Sequence, residues 1–336
     1  MYRAHRRYKP ILIADEAHTL IQFLREANCQ KKWKHDIHYP DGLTTYDQLV
    51  QWFKDNNFNQ LMEQMGFDGE PKFLIQPGRE QFGRKKEWRD CLKFLPVDVT
   101  GSKPILWPPS VTKKIVLMSA TISRKDIEYL GLAGKRVAYV SATSPISAER
   151  RPVIFAPVGS LSVAAQDETV PLLAARIRQY LAKHPGQKGL IHATYSLAAK
   201  LRAELHEEPR LMWHTKSSAK SQYQAFRTSE PEQGAVLVAS GLYEGVDLPM
   251  DAGRWQVIAK VPWPSLGNPV LRHLTELDPD YYTWETLKIV LQASGRICRR
   301  PDDFGVTYIV DSSFRRLHTE GRELMPQYFI DSLRGI

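Results

Sequence analysis

Cysteine is scarce in this chain of 336 residues, which contains only Cys29, Cys91 and Cys298. An odd, widely separated set argues against a disulfide framework, and no two of these cysteines have the spacing of a metal-ligand pair. An iron–sulfur cluster needs about four thiolates, so we expect no cluster in this chain. The cysteines are predicted to be reduced thiols.

Long apolar stretches are also missing. No run approaches the ~20 apolar residues that a helix needs to cross a bilayer. The basic start of the chain is not followed by the apolar core of a signal peptide, because Pro10 and Asp15 bound the apolar run between them. These absences predict a cytoplasmic location and no membrane partner.

The chain has fewer acidic than basic residues. Lysine and arginine number 46 against 37 aspartates and glutamates, which gives a formal charge of +9. An excess of this size favours a polyanionic partner such as a nucleic acid, and binding would weaken as salt rises. Charge alone does not distinguish DNA from RNA. Basic clusters occur at residues 3–9, 31–34, 84–86, 113–114, 299–300 and 315–316.

Near-continuous apolar runs alternate with segments of helical spacing. Such runs are typical of parallel strands that are covered on both faces. The chain is therefore predicted to be an α/β protein with parallel sheets. The runs are 11–14, 115–118, 189–193, 235–239, 256–261 and 306–310, and the clearest helical segments are 172–181, 197–205 and 284–297.

Residues 28–110 break this alternation. They are rich in Trp, Phe, Lys and Asn, and Pro77-Gly78 is a turn signal within them. They are predicted to form an inserted, mainly helical or irregular subdomain, with an amphipathic helix pair over 48–65. An extended linker is predicted over 144–157, where a proline follows Ser144, Arg151 and Ala156.

Candidate chemistry begins where the first apolar run ends, at Asp15 and Glu16. Ligands of parallel α/β sheets bind beyond the carboxyl ends of strands. Adjacent carboxylates there can hold Mg²⁺ through its water shell and activate an attacking water. Taken alone, Asp15 can equally be a helix cap. Ser119 and Thr121 follow the second run, and their hydroxyls can bond the carboxylate site or its neighbours, or cap the next helix.

Two further groups follow later strands. Gly241 and Gly245 allow a ligand to approach the backbone closely, and Asp247 can accept from a ribose hydroxyl or an arginine. Arg296 and Arg299 are spaced so that they would share one face of a helix. Two such guanidiniums can grip a γ-phosphate and offset the charge that develops on it. The alternative is an ordinary solvated basic face.

In this order the groups resemble motifs II, III, V and VI of superfamily 2 helicases, and their details are similar to the XPD/DinG family. The segments that carry the resemblance are Asp-Glu-Ala-His at 15–18, Ser-Ala-Thr at 119–121, the motif IV-like stretch 189–196, the motif V-like stretch 244–249, the proline-rich segment 261–269 and the motif VI-like stretch 292–299.

The resemblance implies ATP and Mg²⁺ as cofactors. Asp15 and Glu16 would hold the metal, Glu16 would activate water, and His18 would link the nucleotide state to the rest of the motor. The remaining implied positions are nucleotide or interdomain contacts at Ser119, Thr121, Gly245, Asp247 and Gln292, γ-phosphate arginines at Arg296 and Arg299, and single-stranded DNA contacts at Thr194, Tyr195, Ser196 and Trp263. Trp263 is also a candidate core residue.

The same resemblance implies two RecA-like domains. Residues 1–27 and 111–145 would be a remnant of the first, residues 28–110 an Arch-like insertion, and residues 150–336 the complete second. ATP would bind between the two domains, and its hydrolysis would pull single-stranded DNA, 5′ to 3′ if the family polarity holds.

One family element does not occur in the sequence. No Gly-x-x-x-x-Gly-Lys-Ser/Thr loop is present, and the stretch 78–85 has the glycine spacing but Arg84 at the lysine position. We therefore expect the isolated chain to hydrolyse ATP poorly, and a separate chain carrying the loop is a possible partner. A non-catalytic nucleic-acid-binding module, a subunit that recruits partners through 28–110, and an RNA-directed DEAH enzyme stay open as alternatives.

Overall fold

The computed structural model describes residues 11–43, 46–58, 60, 63, 73–83, 86–99, 114–241 and 246–336. The chain divides into two compact units. Unit 1 contains residues 1–140 and 265–279, and unit 2 contains residues 141–264 and 280–336. No helix of the described residues is long and apolar enough to cross a membrane.

Helices and strands are numbered in chain order over the described residues. The helices are α1 (Leu20–Ala27), α2 (Lys34–Ile37), α3 (Tyr46–Asp55), α4 (Arg124–Tyr129), α5 (Gln166–Lys183), α6 (Tyr195–Glu204), α7 (Ala219–Thr228), α8 (Pro269–Leu277), α9 (Asp280–Ser294), α10 (Phe314–Gly321) and α11 (Gln327–Ser332). The strands are β1 (Ile11–Ala14), β2 (Gln30–Trp33), β3 (Phe73–Phe82), β4 (Glu87–Pro96), β5 (Lys114–Leu117), β6 (Val153–Gly159), β7 (Gly189–Ala193), β8 (Leu211–Met212), β9 (Val236–Ser240), β10 (Trp255–Ile258), β11 (Val306–Asp311) and β12 (Leu333–Arg334).

Unit 2 is built on a seven-stranded sheet in the order β12-β6-β11-β10-β7-β9-β8. All of its pairings are parallel. The apolar runs follow from burial on both faces: in β9, Val236 and Val238 belong to the cluster that contains residues of α5 and α6. Leu237 and Ala239 belong to a different cluster, together with Phe226 of α7. The prediction of an α/β fold with a covered parallel sheet is confirmed.

The stretch 144–157 is only partly a linker. Its last residues begin β6, which pairs with both β11 and β12. The register between β6 and β11 shifts after the pair Phe155 and Ile309, and Pro157 lies at this irregularity. A proline has no N–H to give to a ladder, so it is tolerated at such a bulge. Pro157 therefore does not exclude a strand here, although it makes the strand hard to recognise in the sequence.

Gly189 gives a test of core packing in unit 2. Gly189 and Trp255 are partners in the β7–β10 register, and a Cβ on Gly189 would lie 2.3 Å from Cε2 of the fully buried Trp255 ring. Overpacking of this kind costs roughly 1–3 kcal/mol. Gly189→Ala is expected to lower the free energy of unfolding by that amount in a denaturant titration. Gly134→Ala, where a Cβ meets nothing within 4 Å, is the control, and equal stability of the two variants would contradict the packing argument.

The described residues of unit 1 form two sheets. Strands β1 and β5 form a parallel pair, and β2, β4 and β3 form an antiparallel sheet in that order. Leu49 and Phe53 of α3 pack with Ile75, Leu92 and Phe94 on one side of the antiparallel sheet. Helix α3 confirms the first part of the predicted 48–65 helix pair, and most of the second part lies outside the described residues.

The prediction of a mainly helical insertion is wrong for the described residues of 28–110, which are organised around the antiparallel sheet. Pro77 and Gly78 resemble a turn in the sequence, yet they lie within β3 and pair with Leu92 and Cys91. Because β3 is an edge strand, the missing N–H of Pro77 need not interrupt the ladder.

Residues 265–279 also depart from the sequence-based division, which places them in the second domain. They group with unit 1. Asp278, just after α8, accepts hydrogen bonds from Lys125 Nζ at 2.9 Å and Tyr129 Oη at 2.5 Å. A short helix between two prolines carries no sign in the sequence of which core it joins, so this exchange was not predictable from local pattern.

Candidate functional site

The Asp15–Glu16 pair lies where β1 ends. Glu16 has a left-handed backbone (φ 50, ψ 40), and a short 3₁₀ turn over Ala17–Thr19 follows it. The Glu16 N–H donates to Asp15 Oδ1 at 2.9 Å. The Glu16 side chain is 66% exposed, and Asp15 is exposed as well. Left-handed conformations of non-glycine residues are costly and concentrate at functional sites. The turn presents both carboxylates to solvent at the carboxyl end of a strand.

His18 joins this turn to the Ser-Ala-Thr segment. Its buried ring is hydrogen-bonded through Nδ1 to Ser119 Oγ at 2.8 Å, across 101 positions of sequence. The same Nδ1 lies 3.3 Å from Glu16 Oε2. Ser119 Oγ in turn accepts from the Thr121 N–H at 3.1 Å. The structure thus contains the predicted bond between a Ser119 hydroxyl and a neighbour of the carboxylates.

The two motif VI-like arginines do not lie on a helix, and the prediction that they share a helical face is wrong. Helix α9 ends at Ser294, one residue before Gly295. Arg296 Nε donates back to Gln292 O at 2.9 Å, its Nη2 donates to Gln292 Oε1, and its Nη1 donates to Val246 O at 3.2 Å. Gly295 is therefore a helix stop rather than a costly interior glycine. Arg296 closes the helix end and holds the motif V-like loop against it.

The Arg299 side chain contacts different residues from those that Arg296 contacts. Its Nε lies 2.6 Å from Asp247 Oδ1, and the two side chains are 47% and 64% exposed. Its Nη1 donates to Gly295 O at 3.0 Å. The Asp247 N–H donates to Tyr223 Oη at 3.2 Å. Of the two acceptor roles considered for Asp247, the structure shows the pairing with an arginine. Gly245, the other candidate in this loop, lies outside the described residues.

Asp303 is a buried residue whose role the sequence does not reveal. Its carboxylate has 0% exposure and accepts from the N–H groups of Met250 (2.8 Å), Arg299 (3.0 Å) and Phe304 (2.8 Å) and from Arg254 Nη1 (2.8 Å). Burial alone would raise the pKa of this carboxyl, but the three backbone donors and the Arg254 guanidinium outweigh burial and lower the pKa. Asp303 fixes the backbone at Arg299 and at Met250 at the same time.

Gln256 is a second buried residue that the sequence does not reveal. Its Nε2 donates to Ser294 O and to Thr307 Oγ1, both at 2.8 Å, and its Oε1 lies 3.3 Å from His192 Nε2. Burial lowers the pKa of His192 to about 4, so this imidazole is neutral near pH 7. Gln256 therefore ties the end of α9 to the centre of the sheet. A polar residue inside an apolar strand was the available signal in the sequence.

The motif IV-like residues lie at the carboxyl end of β7. Thr194 caps α6, accepting from the Leu197 N–H at 3.3 Å, and its Oγ1 lies 3.2 Å from Ser196 Oγ. The Tyr195 ring is partly exposed and meets the His214 ring edge-on at 5.8 Å. Capping explains Thr194 structurally and Ser196 contacts that cap, whereas Tyr195 presents a ring to solvent.

Trp263 is partly buried against the apolar cluster beneath α9 and α10. Its ring stacks on Tyr282 with centroids 5.0 Å apart, its Nε1 donates to Ser313 Oγ at 3.2 Å, and Arg316 lies 4.9 Å from its centroid. The structure thus places Trp263 in the packing environment that the sequence left open as the alternative to base stacking.

Residues 177–331 match the protein family described as the helicase C-terminal domain. The whole fold is similar to S. tokodaii Xpd4 (12% identity, TM-score 0.56, 97% of this chain and 76% of that chain) and to an apo XPD structure (15%, 0.60, 96% and 76%). A structure of XPD helicase matches at 14% identity and TM-score 0.59, over 96% of this chain and 68% of that chain. No curated protein sequence is similar enough to count as a relative.

Residues 177–331, which make up most of unit 2, are thus similar to the helicase C-terminal domain family. The chain as a whole is similar in fold to the XPD structures. This confirms the family resemblance of the sequence at the level of fold.

Proposed function

We propose that the chain is the C-terminal portion of an ATP-dependent DNA helicase that couples ATP hydrolysis to movement along single-stranded DNA. The observation that carries the proposal is the pairing of motifs far apart in sequence. His18 bonds Ser119 at the end of β1, and Arg299 pairs with Asp247 beyond α9. Phosphoryl transfer depends on polar and charged side chains that are held in fixed positions, and these pairs lie at the ends of strands and helices.

The described residues fit a magnesium nucleotide in part. Asp15 and Glu16 are exposed, adjacent carboxylates, of the kind that binds Mg²⁺ through its waters. When bound, the metal would neutralise charge on the phosphates. Glu16 would orient and deprotonate water, and the contact of His18 with both Glu16 and Ser119 supports the proposal that His18 links the nucleotide state to the rest of the motor.

Unit 2 contains the candidate phosphate-binding cation, Arg299. Arg299 keeps a half-exposed guanidinium whose carboxylate partner is also exposed. Exposed ion pairs are worth at most about 1 kcal/mol, so a phosphate can take the place of Asp247. Arg296 and Gln292 bond each other and hold the loop, which makes Arg299 the stronger candidate for phosphate contact. Tyr195, with Lys216 5.7 Å from its ring, is the candidate for contact with a DNA strand.

ATP hydrolysis tests this function. The purified chain is assayed with single-stranded DNA, alone and mixed with a polypeptide that carries a Gly-Lys-Thr/Ser loop, such as the product of the adjoining reading frame. We expect turnover near background alone, because the amides and lysine that cradle phosphates are not in this sequence. Mixing is expected to restore turnover, and Glu16→Gln to abolish it without weakening DNA binding.

Three results would count against the proposal. Substantial turnover by the chain alone contradicts the expected dependence on a phosphate-binding loop. Turnover in the mixture that survives Glu16→Gln contradicts the role of Glu16. Salt-sensitive DNA binding with no turnover in any mixture favours the non-catalytic nucleic-acid-binding module.

A partner segment of this kind is proposed on separate grounds. Ile11, Ile13, Val116 and Met118 are exposed, and the register of β1 with β5 puts them on one face of the pair. Parallel sheets are normally covered on both faces, and contiguous exposed apolar side chains mark interaction surfaces. We propose that a polypeptide segment bearing the phosphate-binding loop covers this face and extends the sheet.

A further inference from the structure

A cleft lies on the insertion of unit 1, away from the motif residues in sequence. It has a volume of about 580 Å³. Its walls come from α2, the chain just after it, and the outer parts of β3 and β4. This insertion cleft is lined by Lys34, His35, His38, Arg79, Trp88 and Arg89, among others.

The insertion cleft is cationic. Among the described residues that line it are three permanent cations and two imidazoles, against one carboxylate, that of Asp90. The cations have carboxylate neighbours, but these are open to water: Asp41, beside Lys34, is 94% exposed, and Asp90, 3.6 Å from Arg79, is 55% exposed. Because exposed ion pairs contribute about 1 kcal/mol or less, a phosphate can displace these carboxylates at little cost.

The insertion cleft also presents an aromatic ring. Trp88 is 59% exposed and lies in β4, two residues from Asp90, so both are on the face of the sheet that carries Arg79. Nearby, the Arg89 guanidinium lies 4.4 Å from the centroid of Phe82. Phe82 is itself held edge-on by Trp33 at 4.8 Å and by His35 at 5.4 Å. By the same alternation, Arg89 lies on the opposite face of the sheet from Trp88 and Arg79, where it is also paired with Glu87 at 3.0 Å.

The cations and the exposed Trp88 ring together favour one class of anionic ligand over others. A pocket for a small molecule is mostly apolar and buries most of its ligand, whereas the Arg79 side chain at this cleft remains 69% exposed. An acidic peptide would satisfy the cations but would offer no flat ring to Trp88. A single-stranded nucleic acid satisfies both, because its phosphates meet the cations and its bases stack on aromatic rings.

We propose that the insertion cleft is a binding site for single-stranded nucleic acid, with a base stacked on Trp88 and neighbouring phosphates bound by Arg79 and Lys34. The inference deepens the proposed function, on which it rests for the identity of the polymer. It adds a contact on the insertion that is distinct from the candidate strand contact at Tyr195.

Fluorescence anisotropy of a labelled oligo(dT) with the full chain tests the site. Trp88→Ala is expected to weaken binding about 5- to 150-fold, the equivalent of ~1–3 kcal/mol per stacked base, while Trp88→Phe keeps most of the affinity. Arg79→Ala should make the dependence of log K on log salt shallower by about 0.7, the loss of one phosphate contact to a single strand. Arg202→Ala, an exposed arginine on α6, is the control and should change neither affinity beyond twofold nor slope. Thermal unfolding confirms that each variant is folded.

The outcomes separate this site from the proposed function. Binding that is unchanged in both Trp88→Ala and Arg79→Ala, yet weakened by Tyr195→Ala, overturns the insertion cleft and leaves the helicase proposal standing. No binding of oligo(dT) by the unmodified chain at low salt overturns both. If poly-glutamate competes as well as unlabelled oligo(dT), the cleft recognises acidic chains in general and the nucleic-acid assignment fails.

Discussion

Replacing Arg299 by alanine is expected to slow ATP hydrolysis by the mixture of this chain and a loop-bearing polypeptide by about 10³-fold or more. Arginines that contact the γ-phosphate contribute ~10³–10⁵ to the rate in nucleotide hydrolases. Arg299 contacts the exposed Asp247 through Nε and donates to Gly295 O through Nη1. A guanidinium has five N–H donors, so the others can bind a phosphate. The measurement is steady-state turnover at saturating ATP and DNA.

The adjacent arginine provides the control. Arg300 has the same charge and is paired with Asp302 at 3.1 Å on the surface. Arg300→Ala is expected to leave the rate within about twofold, because surface charges of this kind contribute little beyond long-range steering. A loss smaller than about tenfold in Arg299→Ala, or equal losses in the two variants, would show that Arg299 does not contact the phosphates.

Asp303→Ala is expected to lower the free energy of unfolding of unit 2 by ~3–5 kcal/mol, the usual cost of removing one partner of a buried ion pair. The substitution leaves Arg254 without its buried carboxylate and frees the N–H groups of Met250, Arg299 and Phe304. Chemical denaturation measures the loss. Asp302→Ala removes an exposed carboxylate one residue away and should cost less than about 0.5 kcal/mol.

The contribution of Asp303 should also depend on pH. Its folded pKa is lower than the ordinary value of 3.8. The stabilisation is therefore fully present above that ordinary value and is lost as the pH falls through the folded pKa. Unfolding measured between about pH 5 and pH 2 should show a smaller acid loss of stability in Asp303→Asn than in the unmodified chain. Parallel losses in both proteins would mean that Asp303 is not the group that titrates.

Much of unit 2 was predictable from sequence because burial on both faces leaves a local mark. The runs at 189–193 and 306–310 appear as β7 and β11 with almost the same bounds. The turn at Asp15 was predictable from an equally local pattern, since two carboxylates directly after an apolar strand have few other places to lie. In both cases the nearest neighbours in sequence determine the environment.

Other features depend on partners distant in sequence. The ladder that holds Pro77 inside β3 is supplied by β4, so a local turn signal was misleading. The end of α9 at Ser294 depends on the Arg296 guanidinium and on Gln256 in β10, which periodicity does not register. Asp303 is surrounded by polar and charged residues in sequence and is nevertheless buried, because its four donors converge only in the fold.

The left-handed backbone of Glu16 carries an evolutionary implication. Holding a non-glycine residue in that conformation costs of order 1–2 kcal/mol, and glycine or asparagine would relieve it. Selection for thermal robustness alone would therefore remove the glutamate from the end of β1. A glutamate at this position (φ 50) therefore costs unit 1 stability, and the proposed role of its carboxylate would explain why a glutamate stands there.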